Sequence, residues 1–137
     1  MSKKRILIVC TGNSCRSQMA EGFMKSFNNE LEVFSAGTRP EKQVNPFAVR
    51  VMKEKGIDIS NYRPKHVDDF TSMPFDYVIT VCDHAKESCP IFPGAVKVMH
   101  WPFPDPPHSR EVSEAVLEEF RNVRDMIIAK FQYFHPS

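Results

Sequence analysis

Short apolar runs alternate along the chain with longer stretches in which apolar residues recur at helical spacing. Four runs are rich in β-branched and aromatic residues: KRILIVC (4–10), LEVFSAGT (31–38), FDYVITVC (75–82) and AVKVMHW (95–101). Runs of this length and composition are typical of buried strands. The pattern therefore predicts four strands.

Three other segments carry helical patterns. From residue 14 to 28, apolar side chains that include Phe27 recur every four residues, which predicts an amphipathic helix. The segment 45–56 has an asparagine cap, a proline at the first helical position and a glycine at its end. The segment 113–134 predicts a long closing helix. Its apolar positions, spaced by three and four residues, are Val116, Phe120, Val123, Ile127, Phe131 and Phe134.

Strands that alternate with helices indicate an α/β fold. We predict one domain over residues 1–137, with three layers and a four-stranded, mostly parallel sheet that has helices on both faces. Ligands of such sheets bind beyond the carboxyl ends of the strands. Cys10 and Cys82 end the first and third predicted strands, and the loop WPFPDPP (101–107) follows the fourth. All three are therefore expected at one edge of the sheet.

The balance of charge excludes several classes of partner. The chain has 137 residues, with 18 Lys and Arg against 17 Asp and Glu, so it has no basic field for nucleic acid or anionic membranes. No apolar run reaches the roughly 20 residues that cross a bilayer, and the N-terminus does not resemble a secretory signal. We expect a cytoplasmic monomer with no nucleic-acid or membrane partner.

The chain has four cysteines, Cys10, Cys15, Cys82 and Cys89. In a reducing compartment they are not expected to form a permanent disulfide framework. Neither the cysteines nor the histidines show metal-ligand spacing, so no metal site is predicted.

The stretch CTGNSCRS (10–17) connects the first predicted strand to the first helix. Its backbone N–H groups and the positive end of the helix favour an anion, and Gly12 permits a close backbone path. Arg16 can direct two donors onto a tetrahedral oxyanion. The same field is expected to lower the pKa of Cys10 and make it a nucleophile. The predicted oxyanion-binding residues are Thr11, Gly12, Asn13, Ser14, Cys15, Arg16 and Ser17.

Five segments together resemble one known family. They are VCTGNSCRSQMAEG (9–22), SAGT (35–38), NPFAVRVMKEKGIDIS (45–60), VITVCDHAKESCP (78–90) and HWPFPDPP (100–107). They are similar to the low-molecular-weight protein tyrosine phosphatase fold, and most of all to its thioredoxin-coupled arsenate reductase branch. The resemblance extends over nearly the whole chain.

The resemblance implies roles for five residues. Cys10 would be the nucleophile, Arg16 the oxyanion ligand and Asp105, in its proline-braced loop, the general acid. Cys82 and Cys89 would supply two electrons through a Cys10–Cys82 disulfide and then a Cys82–Cys89 disulfide. Arsenate would be the substrate, phosphate or sulfate would act as analogues, and thioredoxin would return the electrons, with no tightly bound cofactor.

The spacing of Cys82 and Cys89 adds a physical expectation. A continuous helix would separate their Cα atoms by about 10 Å, whereas a disulfide needs them within about 7 Å. The segment must therefore bend or unwind on oxidation. Pro90 and the charged residues between the cysteines also favour a segment that is ordered when reduced and loops out when oxidised.

The resemblance also implies residues that support the loop. In some of these reductases a potassium ion binds beside it, at positions that match Asn13, Glu21 and Ser35. A further acidic ligand is expected in this family where this chain has Lys65, with Asp68 or Asp69 as the alternative acid. An ammonium group can take the place of a cation, so we expect that potassium is not required.

Three functions remain open from the sequence. Arsenate reduction uses all three thiols of the relay, whereas a phosphatase would need only Cys10, Arg16 and Asp105. Phosphatases of this family usually carry an aromatic residue after the acid loop, where Pro107 stands, which weakens that alternative. A redox or metal-binding regulator would use the cysteines without turnover. Cys10 as an ordinary buried cysteine, with Arg16 on the surface, is the plain structural alternative.

Overall fold

The structure of the chain is a computed structural model, and its described residues are 3–89, 92, 97–107 and 112–134. Pro90 and the first two residues of the predicted fourth strand lie outside these ranges. None of the helices in this part of the chain is both long and apolar enough to span a lipid bilayer.

Four parallel strands form the central sheet in the order β2-β1-β3-β4. They are β1 (Lys4–Cys10), β2 (Leu31–Gly37), β3 (Tyr77–Thr80) and β4 (Lys97–His100). The five residues from Ile6 to Cys10 are buried because β1 has a neighbouring strand on each side. This architecture confirms the predicted α/β class with its parallel sheet.

The described ranges contain four α-helices that connect or follow the strands: α1 (Arg16–Phe27), α2 (Pro46–Lys53), α3 (Asp83–Ser88) and α4 (Glu114–Phe131). The predicted cap of α2 is confirmed, because the Asn45 side chain accepts a hydrogen bond from the Phe47 N–H at 2.8 Å. Gly56 follows that helix with a φ of 76°, which glycine adopts at little cost.

The side chains of β2 show how the layers are arranged. Ser35 bonds Glu21 of α1, so it lies on the face covered by that helix. Because side chains alternate along a strand, Phe34 lies on the opposite face. There its ring contacts Phe70, in a 3₁₀ turn over Val67–Phe70, and Phe75. The sheet is therefore the middle of three layers.

One residue of the predicted apolar stripe in α1 lies largely outside the core. Phe27 is 50% exposed, whereas Met19 is fully buried and Phe23 is nearly so. Phe27 stacks on Phe23 with ring centroids 5.2 Å apart. Phe27 is the last residue of α1, where the helix reaches the surface. The four-residue spacing of apolar side chains therefore extends beyond the part of the helix that packs in the core.

Candidate active site

The residues predicted to carry chemistry meet at one edge of the sheet. They line an open cavity of about 590 Å³. Cys10 ends β1, Cys82 follows β3 and Asp105 lies in the loop after β4, so parallel strands bring three distant parts of the chain together. The predicted residues on the cavity wall are Cys10, Thr11, Gly12, Ser14, Cys15, Arg16, Cys82 and Asp105.

The Cys10 thiol is held by two groups of its own loop. Its Sγ atom lies 3.0 Å from Ser17 Oγ and accepts a hydrogen bond from the Asn13 N–H at 3.2 Å. These bonds favour the thiolate, but the residue is only 3% exposed. Burial raises the pKa of Cys10 above its ordinary value, against the lowering effect of the bonds from Ser17 and Asn13. The direction is therefore opposite to the predicted lowering, because desolvation outweighs these hydrogen bonds.

The left-handed backbone of the loop is at Asn13, whose φ is 50°. Asparagine tolerates this conformation better than most residues. The Asn13 amide is fully buried and donates to Ser17 Oγ at 2.7 Å and to Ser35 Oγ at 3.0 Å. The Asn13 side-chain oxygen Oδ1 accepts a hydrogen bond from the Lys65 backbone N–H at 2.9 Å. Since Ser17 Oγ accepts from Asn13, its own proton is free to be donated to the Cys10 sulfur.

A buried carboxylate completes the support of this loop. Glu21 is 4% exposed and accepts a hydrogen bond from Ser35 Oγ at 2.6 Å. Lys25 Nζ donates to its other oxygen at 2.7 Å, and Lys65 Nζ lies 3.8 Å from the oxygen that Ser35 contacts. Partial burial lowers the pKa of Lys65, whereas the Glu21 charge opposes that shift. The structure thus brings together the predicted support residues.

Arg16 lies between the loop and the predicted acid. Its Nη2 atom is 3.5 Å from Asp105 Oδ1, and its Nη1 donates to the Phe103 carbonyl at 3.1 Å. The ring of Phe103 stacks on Phe131 of α4, with centroids 6.2 Å apart. These contacts fix the proline-rich loop over the cavity, and the Asp105 side chain remains half exposed there.

The second pair of thiols flanks a short helix. Cys82 is 4% exposed and precedes α3, and its Sγ lies 3.2 Å from Thr11 Oγ1 of the oxyanion loop. Cys89 directly follows α3 as its C-cap, and its N–H donates to the Ala85 carbonyl at 2.9 Å. Both are free thiols. Burial raises the pKa of the half-buried Cys89 to about 11. The six helical residues of α3 separate the two cysteines, and the unwinding expected on oxidation stays a prediction.

Cys15 is also a free, buried thiol on the cavity wall. Burial raises its pKa, and the neighbouring Cys10 raises it further. The supporting or dispensable role expected for Cys15 stays a prediction.

Several residues at or near the site were not found by sequence reasoning. Arg39 and Glu41 line the cavity, and their N–H groups donate to the Thr11 and Gly12 carbonyls at 2.9 Å. Lys25 pairs with the buried Glu21. The four-residue spacing of Lys25 and Glu21 was the available signal for that pair. Within the described ranges, no three His, Cys, Asp or Glu side chains converge as a metal site would require.

Comparison with known proteins identifies relatives over almost the whole chain. The family described as low molecular weight phosphotyrosine protein phosphatase matches residues 5–136. An arsenate reductase of Shouchella clausii (strain KSM-K16) is 45% identical over 137 residues, covering 98% of this chain and 96% of that protein. An arsenate reductase of Bacillus subtilis (strain 168) is 43% identical over 135 residues, with the coverage again 98% and 96%.

Solved structures agree with the fold and with these relatives. An arsenate reductase in an oxidised state has a TM-score of 0.79 and 32% identity, covering 93% of this chain and 92% of that one. An arsenate reductase in a phosphate-binding state has a TM-score of 0.69 and 34% identity, covering 93% and 98%. A thioredoxin-dependent arsenate reductase of Corynebacterium glutamicum has a TM-score of 0.68 and 26% identity, covering 95% and 61%. The family match covers residues 5–136, and the relatives are similar over nearly the full length of the chain. The chain therefore belongs to the low molecular weight phosphotyrosine protein phosphatase family.

Proposed function

We propose that this protein reduces arsenate to arsenite with electrons that thioredoxin supplies. The observation that carries the proposal is the second thiol at the oxyanion site, because Cys82 Sγ lies 3.2 Å from the hydroxyl of Thr11, the residue next to Cys10. Hydrolysis of a phosphate ester has no use for that thiol. The arsenate reductases that match the chain over its length support the same activity.

The first step joins arsenate to the protein. Arg16 and the loop N–H groups bind the oxyanion, and the Cys10 thiolate attacks arsenic to form a sulfur–arsenic bond. One oxygen leaves as water after it accepts a proton from Asp105, whose position next to Arg16 suits this role. Arsenic stays in its pentavalent state in this step.

The second and third steps move two electrons. The Cys82 thiolate attacks Cys10 Sγ, a disulfide forms and the sulfur–arsenic bond breaks, with its electron pair left on arsenic as arsenite departs. The Cys89 thiolate then attacks Cys82 and releases the thiolate of Cys10. The Cys82–Cys89 disulfide is returned to two thiols by thioredoxin, which is the partner of the Corynebacterium glutamicum relative. A relay of this kind works in a reducing compartment such as the cytoplasm.

We propose that the reaction needs neither a tightly bound cofactor nor a potassium ion. Two ammonium groups, those of Lys25 and Lys65, already lie at 2.7 Å and 3.8 Å from the buried carboxylate of Glu21. They neutralise the charge that would otherwise favour a bound cation. Turnover of the native chain should be equal in potassium and in tetramethylammonium chloride at the same ionic strength. The Lys65→Met variant should gain a dependence on potassium if its ammonium group takes the place of the ion.

The test of the proposed function is arsenate-dependent oxidation of NADPH with thioredoxin and its reductase. The native chain should turn over repeatedly, whereas Cys82→Ser and Cys89→Ser should lose repeated turnover. Cys15→Ala is the matched control, since it removes a thiol that lies outside the relay, and it should retain turnover. All four proteins should hydrolyse an aryl phosphate slowly, because that reaction needs only Cys10, Arg16 and Asp105.

The second candidate is a phosphatase, which the family match and the arrangement of Cys10, Arg16 and Asp105 favour. The same experiment separates the two. No arsenate-dependent oxidation of NADPH, with rapid aryl-phosphate hydrolysis in the native chain and in both serine variants, would refute arsenate reduction and establish the phosphatase.

A further inference from the structure

A histidine of the sheet reaches the first residue of the helix between the two relay cysteines. His100 ends β4, and its Nε2 lies 2.9 Å from Oδ1 of Asp83, with which α3 begins. Its Nδ1 lies 2.8 Å from the hydroxyl of Thr80, which ends β3. The imidazole therefore connects two strands to the start of α3.

The chemistry of the partners fixes the orientation of this ring. A carboxylate only accepts hydrogen bonds, so the proton of the contact with Asp83 is carried by Nε2 of His100. The Thr80 hydroxyl engages the other ring nitrogen. The His100 side chain is 21% exposed, whereas that of Asp83 is 88% exposed. A largely buried ring thus holds an exposed carboxylate that would otherwise move freely.

The start of α3 lacks the usual way of fixing a helix terminus. Its N-cap residue is Cys82, which makes no side-chain capping bond to the helix. The Cys82 sulfur contacts Thr11 of the oxyanion loop instead. A capping bond typically contributes about 1 kcal/mol. In this chain the link from Asp83 to His100 holds the same end of the helix from outside.

We propose that His100 is a positioning residue for the relay. It anchors the Cys82 end of α3 to the edge of the sheet, so that the helix unwinds from the Cys89 end and Cys82 stays in place beside Thr11. This role rests on the proposed function as far as the Cys82–Cys89 disulfide is concerned. The anchoring itself is a property of the reduced protein.

Backbone hydrogen bonds already fix the chain before Cys82. The mobility of Cys82 therefore depends on the residue after it, Asp83. The Val81 N–H donates to the Val9 carbonyl at 2.9 Å, and the Val81 carbonyl accepts from the Phe103 N–H at 3.0 Å. These bonds hold the chain up to Cys82. With Asp83 held by His100, Cys82 lies between two fixed residues, and the cysteine that moves is Cys89.

The first test measures the exposure of each thiol without arsenate. The reduced full-length chain is treated with iodoacetamide, and the alkylation rate of each cysteine is obtained from peptide masses. His100→Ala should increase the rate at Cys82 about fivefold, as expected for a lost hydrogen bond, and leave Cys89 unchanged. His100→Gln, which keeps an N–H donor, should recover part of the native rate.

Matched variants show whether the pair is responsible. Asp83→Ala should reproduce the effect of His100→Ala, and the double variant should show no larger effect, because each single change breaks the same contact. Asp68→Ala is the control, since Asp68 is an exposed partner of another histidine, His66, at 3.5 Å. It should leave the Cys82 rate unchanged.

Three outcomes would overturn the proposal: an unchanged Cys82 rate in His100→Ala, equal increases at Cys82 and Cys89, or effects of the two single variants that multiply in the double variant. Alkylation needs no arsenate, so it decides the anchoring even if the native chain fails to reduce arsenate and the proposed function falls.

The second test follows the relay in a single turnover of arsenate. His100→Ala should slow formation of the Cys82–Cys89 disulfide about fivefold, the same factor by which the lost hydrogen bond changes the Cys82 alkylation rate. Its aryl-phosphate hydrolysis should equal that of the native chain, because that reaction does not use α3. A native rate of disulfide formation in His100→Ala, despite a more exposed Cys82, would refute a role for the anchor in the relay.

Discussion

Gly37 offers a direct test of how closely the sheet supports the oxyanion loop. It ends β2 and lies opposite Cys10 in the strand register. A Cβ atom added at this position would lie 2.4 Å from the carbonyl oxygen of Thr11 and 3.0 Å from the nitrogen and Cβ of Asn13. The first contact is with backbone, which cannot rotate away as a side chain can.

The Gly37→Ala variant should therefore displace the loop. The Thr11 carbonyl must retreat by more than about 0.6 Å, although it also accepts the Arg39 N–H bond at 2.9 Å. Overpacking of this kind costs about 1–3 kcal/mol of unfolding free energy. A displacement approaching 1 Å at reacting groups lowers a rate by about 100-fold. We expect both losses, since Thr11 lies between Cys10 and Cys82.

The measurement compares urea unfolding with kcat/KM for an aryl phosphate. Gly22→Ala is the matched control, because its Cβ would lie 2.6 Å from a methyl group of Ile59, away from the cavity. Its overpacking is offset in part by about 1 kcal/mol of helix propensity. Gly22→Ala should keep the native kcat/KM whatever it does to stability. Native kcat/KM in Gly37→Ala, or an equal loss in Gly22→Ala, would refute the reasoning.

Three further predictions concern charge and packing. Arg121 holds the pKa of Glu54 at about 2, below its ordinary 4.5, so the contribution of Glu54 to stability is fully present above pH 4.5 and is lost as the pH falls through about 2. Glu54→Gln should therefore lower the unfolding free energy by about 1 kcal/mol at pH 7, and this difference should disappear near pH 2 in denaturant titrations. Because burial raises the pKa of Cys10, its alkylation rate should still increase between pH 7 and 9, and Ser17→Ala should move that profile to higher pH; a plateau below pH 7 would contradict this. Phe120→Ala should lower the unfolding free energy by about 3–5 kcal/mol, since Phe120 is fully buried; a loss below 1 kcal/mol would contradict its place in the core.

Local sequence patterns were enough to predict the parallel sheet and the edge at which the reactive side chains lie. The predicted first strand, 4–10, has the bounds of β1 in the structure, because its short, β-branched apolar run is typical of a strand buried on both faces. Asn45 marked the start of α2 through local backbone chemistry, whereas the helix ends at Lys53, three residues before the predicted stop at Gly56. The convergence of Cys10 and Cys82 followed from the common edge of parallel strands.

The Cys10 pKa and the Asn13 backbone conformation could not be predicted from local patterns, because both depend on contacts between residues distant in sequence. The direction of the Cys10 pKa shift is a balance between desolvation and hydrogen bonding, and desolvation cannot be read from neighbours in the chain. Asn13 takes the left-handed conformation because its amide bonds partners as distant as Ser35 and the Lys65 N–H.

Tertiary packing also sets the helical state of α3 and the contact between His100 and Asp83. The six residues of α3 are too few for apolar periodicity to predict a helix, and they are helical where β1 and β3 pack against them. His100 and Asp83 are 17 residues apart in sequence, and only the pairing of β3 with β4 brings them within 2.9 Å. Local patterns determine which elements form, whereas desolvation and side-chain partners are set by how those elements pack.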